Sequence, residues 1–169
     1  LLDRRGVMNE FCPLSQEPLP LDARVVRYRD VLIGFLDQKH LDQFNALPDD
    51  VTVRICARYL LEADGISNSR CPITDELLLP GAPELDDARY RIAFSDQAAI
   101  EKFNALTQGR RNEITARIIF PDRGVANVIC PITDRPIRLD SPVVEIDGRK
   151  IALRNVDAAR TFNKLPRET

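Results

Sequence analysis

The sequence has few of the residues that most often build catalytic sites. It contains one histidine, His40, no tryptophan, one methionine and seven glycines in 169 residues. The single histidine has no nucleophile arranged with it, which excludes a serine–histidine–acid triad, and the glycines do not form a phosphate-binding loop. The adjacent acidic residues Asp49-Asp50 and Asp86-Asp87 lie at expected helix-cap and turn positions, so paired catalytic carboxylates are not indicated. The sequence therefore predicts a protein that is not an enzyme.

Long hydrophobic runs and a strong charge of one sign are also missing. No stretch of 18 or more apolar residues occurs, so no membrane-spanning helix is predicted. The formal net charge is only −2, with 24 basic and 26 acidic residues. Bulk electrostatics therefore favours neither nucleic acid nor an anionic membrane as a partner. With 44% hydrophobic residues, the chain can bury a sizeable core.

What the sequence does contain is a threefold internal repeat with a period of 59 residues. Two short motifs recur at this spacing. A Cys-Pro-hydrophobic-Ser/Thr motif begins at Cys12, Cys71 and Cys130, and a Phe-Asn-x-Leu motif begins at Phe44, Phe103 and Phe162. Two independent motifs at one period, with no net insertion, indicate duplication of a single unit.

Each copy has the pattern of a β-hairpin. In the third copy the extended segments 142–146 and 150–153 flank Asp147-Gly148, and Asp-Gly between alternating apolar residues is a strong hairpin signal. The second copy gives a weaker pattern around Leu85 and 90–94. The sequence therefore predicts one pair of antiparallel strands in every copy.

A short helix is predicted after each hairpin. The candidate N-caps are Asp37, Ser95 or Asp96, and Asn155. In the second copy a helix over 98–106 would place Ala99, Phe103 and Leu106 on one buried stripe. Pro48 and Pro166 follow the helix in the first and third copies and are expected to end it.

Apolar-periodic segments between the copies predict two longer helices. Residues 51–61 align with the segment that includes 113–120, and neither is as rich in Gly, Ser and Pro as a flexible linker. The predicted fold is α+β, with three tandem ββα modules joined by inter-repeat helices. The modules cover residues 1–48, 65–107 and 124–169, and the linking helices cover 49–64 and 108–123.

This combination resembles the YHS/TRASH-type domain. The likeness lies in the Cys-Pro head, the paired strands and the closing Phe-x-Ala-x-Pro, and it is strongest in the first copy, through 33–35 and 44–48. Members of that family are small ββα units of the treble-clef, zinc-finger-like kind, associated with heavy-metal handling or appended to transporters and exported proteins. The resemblance implies a metal site that joins the head cysteine to cysteines after the phenylalanine and in the first helical turn.

The sequence departs from the family at these ligand positions. They hold Leu36, Asp37 and His40 in the first copy, Ser95, Asp96 and Ala99 in the second, and Arg154, Asn155 and Ala158 in the third. Zinc or copper needs about four thiolate, imidazole or carboxylate ligands, so we expect degenerate metal fingers without a metal or another cofactor. The alternative is a zinc or copper carrier or sensor that uses Cys12, Asp37 and His40.

A second resemblance is weaker. The U-box, which needs no metal and recruits ubiquitin-conjugating enzymes, also opens with Cys-Pro-Ile-Thr, as at Cys71 and Cys130. Its strand-to-helix spacing is shorter than the spacing here, and the sequence has no tryptophan for its helix. A motif match without its structural context is a weak indication.

The four cysteines are predicted to be buried and free. Cys12, Cys71 and Cys130 occupy equivalent positions in separate copies, which excludes a bridge within one module. Cys56 could pair with Cys12 or Cys71 only if its helix folds back. Burial is the simpler interpretation, because a free cysteine behaves as a small hydrophobic residue.

The sequence-based hypothesis is a non-catalytic interaction or accessory subunit. Repeat arrays form extended binding surfaces, so we expect one or more protein partners rather than nucleic acid. The chain could also belong to a larger complex. The resemblance and the absence of a methionine at Leu1 favour the cell envelope of a bacterium, whereas unpaired cysteines favour a reducing compartment. The envelope is favoured slightly.

Overall fold

Short strands and helices joined by tight turns make up the chain. The computed structural model describes residues 6–87 and 90–165. Within those residues the protein is mixed α+β, with five helices and three two-stranded antiparallel sheets. None of the helices in this part of the chain is long and apolar enough to cross a membrane. The chain divides into two compact units, Leu1–Gln97 and Ala98–Thr169.

The elements recur in the order hairpin, short helix, long helix. The hairpins are β1 Arg24–Tyr28 with β2 Val31–Phe35, β3 Glu84–Asp87 with β4 Tyr90–Ala93, and β5 Val143–Ile146 with β6 Arg149–Ala152. The helices are α1 Gln38–Asn45, α2 Asp49–Ala63, α3 Gln97–Asn104, α4 Gln108–Asp122 and α5 Val156–Asn163. Equivalent helices begin 59 residues apart, as the sequence motifs do.

The hairpin predicted from Asp147-Gly148 is confirmed. Ile146 pairs with Arg149, so only those two residues form the loop. Asp147 has φ 49° and Gly148 has φ 74°, and two positive values are what a type I′ turn requires. The weaker pattern around Leu85 also gives paired strands, with Leu85 opposite Ile92.

Two of the predicted helix caps are confirmed. Asp37 Oδ1 accepts a hydrogen bond from the His40 N–H at 2.9 Å, and Asn155 Oδ1 accepts one from the Ala158 N–H at 2.9 Å. Each carboxylate or amide oxygen satisfies a backbone donor that the first helical turn leaves unpaired. Helix α1 ends at Asn45, before Pro48. Pro166 lies outside the described residues.

The helix predicted over 98–106 is shorter than expected. Helix α3 ends at Asn104, so Leu106 lies beyond it and is half-buried, rather than on a helical stripe with the buried Ala99 and Phe103. The Leu106 N–H bonds to the Phe103 carbonyl at 3.1 Å in a tight turn. The helix stops early because Thr107 already caps α4.

The two long helices lie in the segments predicted as inter-repeat helices. Each buries two adjacent pairs of side chains. In α2, Cys56 and Leu60 belong to the core of the first copy, while Ala57 and Leu61 are buried outside that cluster. In α4, Ala116 and Phe120 belong to the core of the third copy, while Thr115 and Ile119 are buried outside it. Burial on two faces is typical of an element enclosed by structure on both sides.

The Phe-Asn-x-Leu motif supplies a core aromatic residue. The Phe44 ring lies 4.8 Å from the Phe35 ring and 5.6 Å from the Tyr28 ring, with the Tyr28 contact edge to face. Such contacts join α1 to both strands of its hairpin. The equivalent Phe103 is fully buried, and Phe162 packs against the core of the third copy.

Candidate functional site

Each copy begins with a tight turn around its cysteine, which we call the cysteine turn. In the first copy the Cys12 N–H donates to the Glu17 carbonyl at 2.8 Å, and the Gln16 N–H donates to the Cys12 carbonyl at 2.8 Å. Gln16 has φ 62°, in the left-handed region. The same bonds and the same positive φ recur in residues 71–76 and 130–135. The three cysteine turns therefore share one backbone geometry.

An asparagine fastens each cysteine turn to its hairpin. Asn9 Oδ1 accepts a hydrogen bond from the Gly34 N–H at 2.7 Å, and its Nδ2 donates to the Gly34 carbonyl and to the Phe11 carbonyl, each at 2.8 Å. Equivalent bonds join Asn68 to Ala93 and Asn127 to Ala152. Sequence reasoning missed these asparagines, although they recur with the 59-residue period.

The Cys12 thiol lies where its turn supplies hydrogen-bond donors. Burial of the sulfur opposes ionisation, but hydrogen bonds from the backbone N–H groups of Ser15, Leu36 and Leu14 and from the Ser15 hydroxyl outweigh burial and lower the pKa of Cys12. Donors aimed at a sulfur favour its thiolate form. The turn thus retains a geometry suited to a sulfur anion.

Cys71 has the most strongly stabilised thiolate. Burial again opposes ionisation, yet hydrogen bonds from the Ser95 and Thr74 hydroxyls and from the Ser95 and Ile73 N–H groups outweigh it and lower the pKa of Cys71 to about 7. The Ser95 hydroxyl lies 3.5 Å from Cys71 Sγ, and Thr74 Oγ1 lies 3.1 Å from Ser95 Oγ. Ser95 therefore donates a hydrogen bond from a position where the family likeness expects a ligand.

In the third copy an ion pair occupies the equivalent position. Burial opposes ionisation of Cys130, while the Thr133 hydroxyl and the Arg154 N–H favour it and the pKa of Cys130 is lowered. The Arg154 guanidinium points elsewhere: Nη1 lies 2.8 Å from Glu113 Oε1 and also donates to the Pro136 carbonyl. Arg154 therefore ties α4 to the third copy.

All three residues of the alternative metal set, Cys12, Asp37 and His40, lie in the described part of the chain, and Asp37 and His40 bond to each other. Across 6–87 and 90–165, no group of three or more His, Cys, Asp or Glu side chains is placed to hold a metal ion. Asp37 Oδ1 is instead engaged by the His40 N–H and, at 2.6 Å, by His40 Nδ1. The cap of α1 thus uses the carboxylate that metal coordination would need.

All four cysteines are buried and free, as predicted. Cys56 differs from the other three because it lies on α2, outside any cysteine turn. Burial raises the pKa of Cys56 to about 11, only slightly opposed by Arg29. Cys71 differs because hydrogen-bond donors from its cysteine turn and from Ser95 together outweigh the effect of burial, whereas Cys56 has no such donors among the causes of its shift.

Each cysteine turn also exposes one large apolar side chain. Single bridges close the turns by pairing Phe11 with Pro18, Arg70 with Leu77 and Ile129 with Pro136. In every pair one partner is a large exposed hydrophobic residue: Phe11 at 49%, Leu77 at 43% and Ile129 at 39%. Single exposed apolar residues are common, but here one recurs at the bridge of every copy. Phe11 and Ile129 occupy the same side of the bridge, and Leu77 occupies the side that Pro18 and Pro136 take in the other copies.

Compared with known proteins, the chain matches no family model, no curated protein sequence and no solved structure at a significant level.

Proposed function

We propose that the chain is a non-catalytic interaction or accessory subunit built from three tandem, degenerate metal-finger modules of the ββα kind. The observation that carries this proposal is the reuse of the expected ligand positions. Asp37 and Asn155 cap helices, Ser95 donates to the Cys71 thiol, and Arg154 binds Glu113. Side chains committed to caps and ion pairs hold the modules together instead of coordinating an ion.

The recurring exposed apolar residues support an interaction role. Phe11, Leu77 and Ile129 lie at equivalent bridges of the three cysteine turns. Aromatic and aliphatic residues of this kind are the usual anchors at the centre of protein interfaces. A module that presents an apolar residue at this bridge offers an anchor for a protein partner.

The test is co-purification of a stoichiometric partner from the source cells. A triple variant, Phe11→Ser, Leu77→Ser and Ile129→Ser, should still fold, because the three side chains are exposed. It should lose the partner, because the apolar contacts are removed. The matched control changes three apolar residues exposed elsewhere, Leu21→Ser, Val143→Ser and Val156→Ser, and should retain the partner. The proposal would be contradicted if both variants retained the partner equally, or if the wild-type chain were purified without any partner.

A second measurement separates this role from metal carriage. Wild-type protein, fully reduced, is titrated with zinc and with copper(I) under competition from a chelator. We expect no sub-micromolar binding. Tight binding that is lost on His40→Ala would overturn the interaction proposal in favour of a metal carrier.

A further inference from the structure

Each two-stranded sheet has one edge that is already covered. The outer edge of β2 is closed by the segment before the first cysteine turn. The Met8 N–H donates to the Leu32 carbonyl at 2.9 Å. The side-chain amide of Asn9 forms hydrogen bonds with both the N–H and the carbonyl of Gly34. Val7 completes the contact as a parallel bridge to Leu32. The side chain of Asn9 thus replaces the peptide group of a third strand.

The outer edge of β1 is open. Gly34 faces Val25 and Leu32 faces Arg27 in the antiparallel register. Since Gly34 and Leu32 direct their backbone groups away from β1, the residues opposite them direct theirs away from β2. The N–H and C=O of Val25 and Arg27 therefore point outward, and no other strand of the described residues pairs with this edge.

Charge distinguishes the β1 edge from its two equivalents. On β1, Arg24 and Arg27 are exposed and have no ion-pair partner in the described parts of the chain. On β3 the residue equivalent to Arg27 is Asp86, and on β5 it is Glu145. Glu84 on β3 is in addition paired with Arg91 at 2.6 Å. Only one of the three equivalent edges is basic.

We propose that the outer edge of β1 binds an extended acidic segment of a partner protein by strand addition. This inference rests on the proposed interaction role and names one of its surfaces. The outward groups of Val25 and Arg27 supply the main-chain hydrogen bonds of a third strand. The two arginines select acidic side chains, because opposite charges on neighbouring strands attract and like charges repel. Asp86 and Glu145 disfavour the same ligand on β3 and β5.

The test uses the full chain and a fluorescein-labelled, end-capped peptide of about ten residues that alternates glutamate and valine. Fluorescence anisotropy should show saturable binding with one site per chain. Methylating alternate backbone nitrogens of the peptide keeps its charge but removes strand hydrogen bonds, and should abolish binding. Equal binding of the methylated peptide would show non-specific attraction to basic residues and would overturn the proposal.

Two pairs of protein variants separate backbone pairing from charge. Val25→Pro removes an outward N–H that β2 does not use and should weaken binding at least about tenfold, whereas the equivalent Val143→Pro on β5 should not. Arg27→Glu should weaken binding about tenfold. Arg117→Glu makes the same change of net charge on an exposed residue of α4 and should leave the affinity within about twofold.

Circular dichroism and a denaturant midpoint establish that each variant is folded. If Val25→Pro unfolds the hairpin, the peptide methylation and Arg27→Glu still decide the question. Wild-type chain that binds no peptide, or binds it regardless of Arg27, would overturn strand addition. Self-association that Arg27→Glu and Asp86→Lys each abolish would instead assign the β1 edge to β3 of a second copy.

The outcome can be told apart from failure of the interaction role. If the co-purifying partner is retained by Arg27→Glu and lost by the triple apolar variant, the interaction role stands and the β1 edge is not its surface. If no partner co-purifies with the wild-type chain but the acidic peptide binds to it, the result supports strand addition at the β1 edge and fails to support the interaction role.

Discussion

The side-chain amide of Asn9 forms the same pair of hydrogen bonds with Gly34 that a neighbouring strand would form. Its oxygen accepts from the Gly34 N–H at 2.7 Å, and its nitrogen donates to the Gly34 carbonyl at 2.8 Å. Asn9 is only 3% exposed, so water cannot readily replace either bond. One side chain therefore closes the sheet edge and fixes the position of the first cysteine turn.

Replacing Asn9 by alanine should destabilise the first copy by about 3 kcal/mol, because three hydrogen bonds are lost and both backbone groups of Gly34 are left buried and unpaired. The free energy of unfolding in urea measures the loss. Asn45→Ala, at an exposed position at the end of α1, should change it by less than about 0.5 kcal/mol. Comparable losses in both variants would contradict the role of Asn9.

Asn9→Asp tests the direction of the same bonds. An ionised carboxylate can accept from the Gly34 N–H but would face the carbonyls of Gly34 and Phe11, which now receive no donor. We expect a larger loss of stability than in Asn9→Ala at neutral pH. The deficit should shrink as the pH falls, because protonation restores a donor. A pH-independent deficit would count against this geometry.

The Ser95 hydroxyl should account for part of the low pKa of Cys71. Ser95→Ala removes a donor to the sulfur, and the pKa of Cys71 should rise from about 7 toward its ordinary value near 9. Titration of the cysteine ¹³Cβ resonances by NMR measures the change, with Cys12 and Cys130 as internal references. A Cys71 titration that Ser95→Ala leaves unchanged would refute the assignment.

The same substitution has a predictable effect on stability. The folded-state pKa of Cys71 is lowered, so the ionised thiol stabilises the folded state. This stabilisation is fully present above the unfolded pKa near 9 and is lost as the pH falls through about 7. The urea midpoint of wild-type protein should therefore exceed that of Ser95→Ala by more at pH 9 than at pH 6. An equal difference at both pH values would indicate a purely structural role for Ser95.

His40 provides a titration without overlap, because it is the only histidine in the chain. The hydrogen bond that the His40 ring donates to Asp37 raises the pKa of His40 above its ordinary value near 6.5. Asp37→Asn keeps an N-cap acceptor but removes the carboxylate, so the His40 pKa should fall while α1 remains capped. Proton–carbon NMR of the imidazole follows both states, and a pKa unaffected by Asp37→Asn would contradict the pairing.

The sign of the accompanying stability change follows from that shift. A raised folded-state pKa means that protonated His40 contributes stability fully below about 6.5, and that this contribution disappears as the pH rises through the folded value. Wild-type protein should thus lose stability relative to Asp37→Asn between mildly acidic and mildly alkaline pH. The opposite trend in urea midpoints would exclude the ion pair.

The elements of the fold were predictable wherever a local pattern determines them. The third hairpin was predictable because Asp147-Gly148 suits a turn with two positive φ angles. Two helix starts were predictable because the side-chain oxygens of Asp37 and Asn155 can cap a helix. The end of α3 was not predictable from its apolar stripe. Leu106 continues the helical period, but the cap at Thr107 begins the next helix and overrides it.

The candidate site was predictable in its residues but less so in their roles. The resemblance named Ser95 and Arg154 as positions near the head cysteines, and both lie beside a cysteine. It could not indicate that Arg154 reaches Glu113, because that contact depends on how α4 packs. The role of Asn9 was not predicted from the sequence. An asparagine before a turn usually forms hydrogen bonds with the neighbouring backbone, whereas Asn9 bonds to a strand 25 residues away.

If the third copy derives from a metal finger, its metal site should be recoverable. The Arg154 N–H already bonds to the Cys130 sulfur, and Asn155 and Ala158 lie in the adjoining first turn of α5. The triple variant Arg154→Cys, Asn155→Cys and Ala158→Cys offers four thiolates with Cys130, the number that a structural zinc site uses. Titration with cobalt(II) should give the absorption bands of tetrahedral thiolate coordination, and zinc should raise the thermal midpoint.

The control for this variant removes only the head ligand. The same three substitutions in a Cys130→Ser background should bind cobalt(II) much more weakly and show weaker sulfur-to-cobalt charge-transfer absorption, because three thiolates leave one position to water. Zinc should then stabilise the fold less, since metal binding contributes to folding free energy only through the folded site. A folded triple variant that binds no better than this control would mean that Cys130 does not face the three positions. The derivation from a metal finger would then fail, even if the interaction role survived.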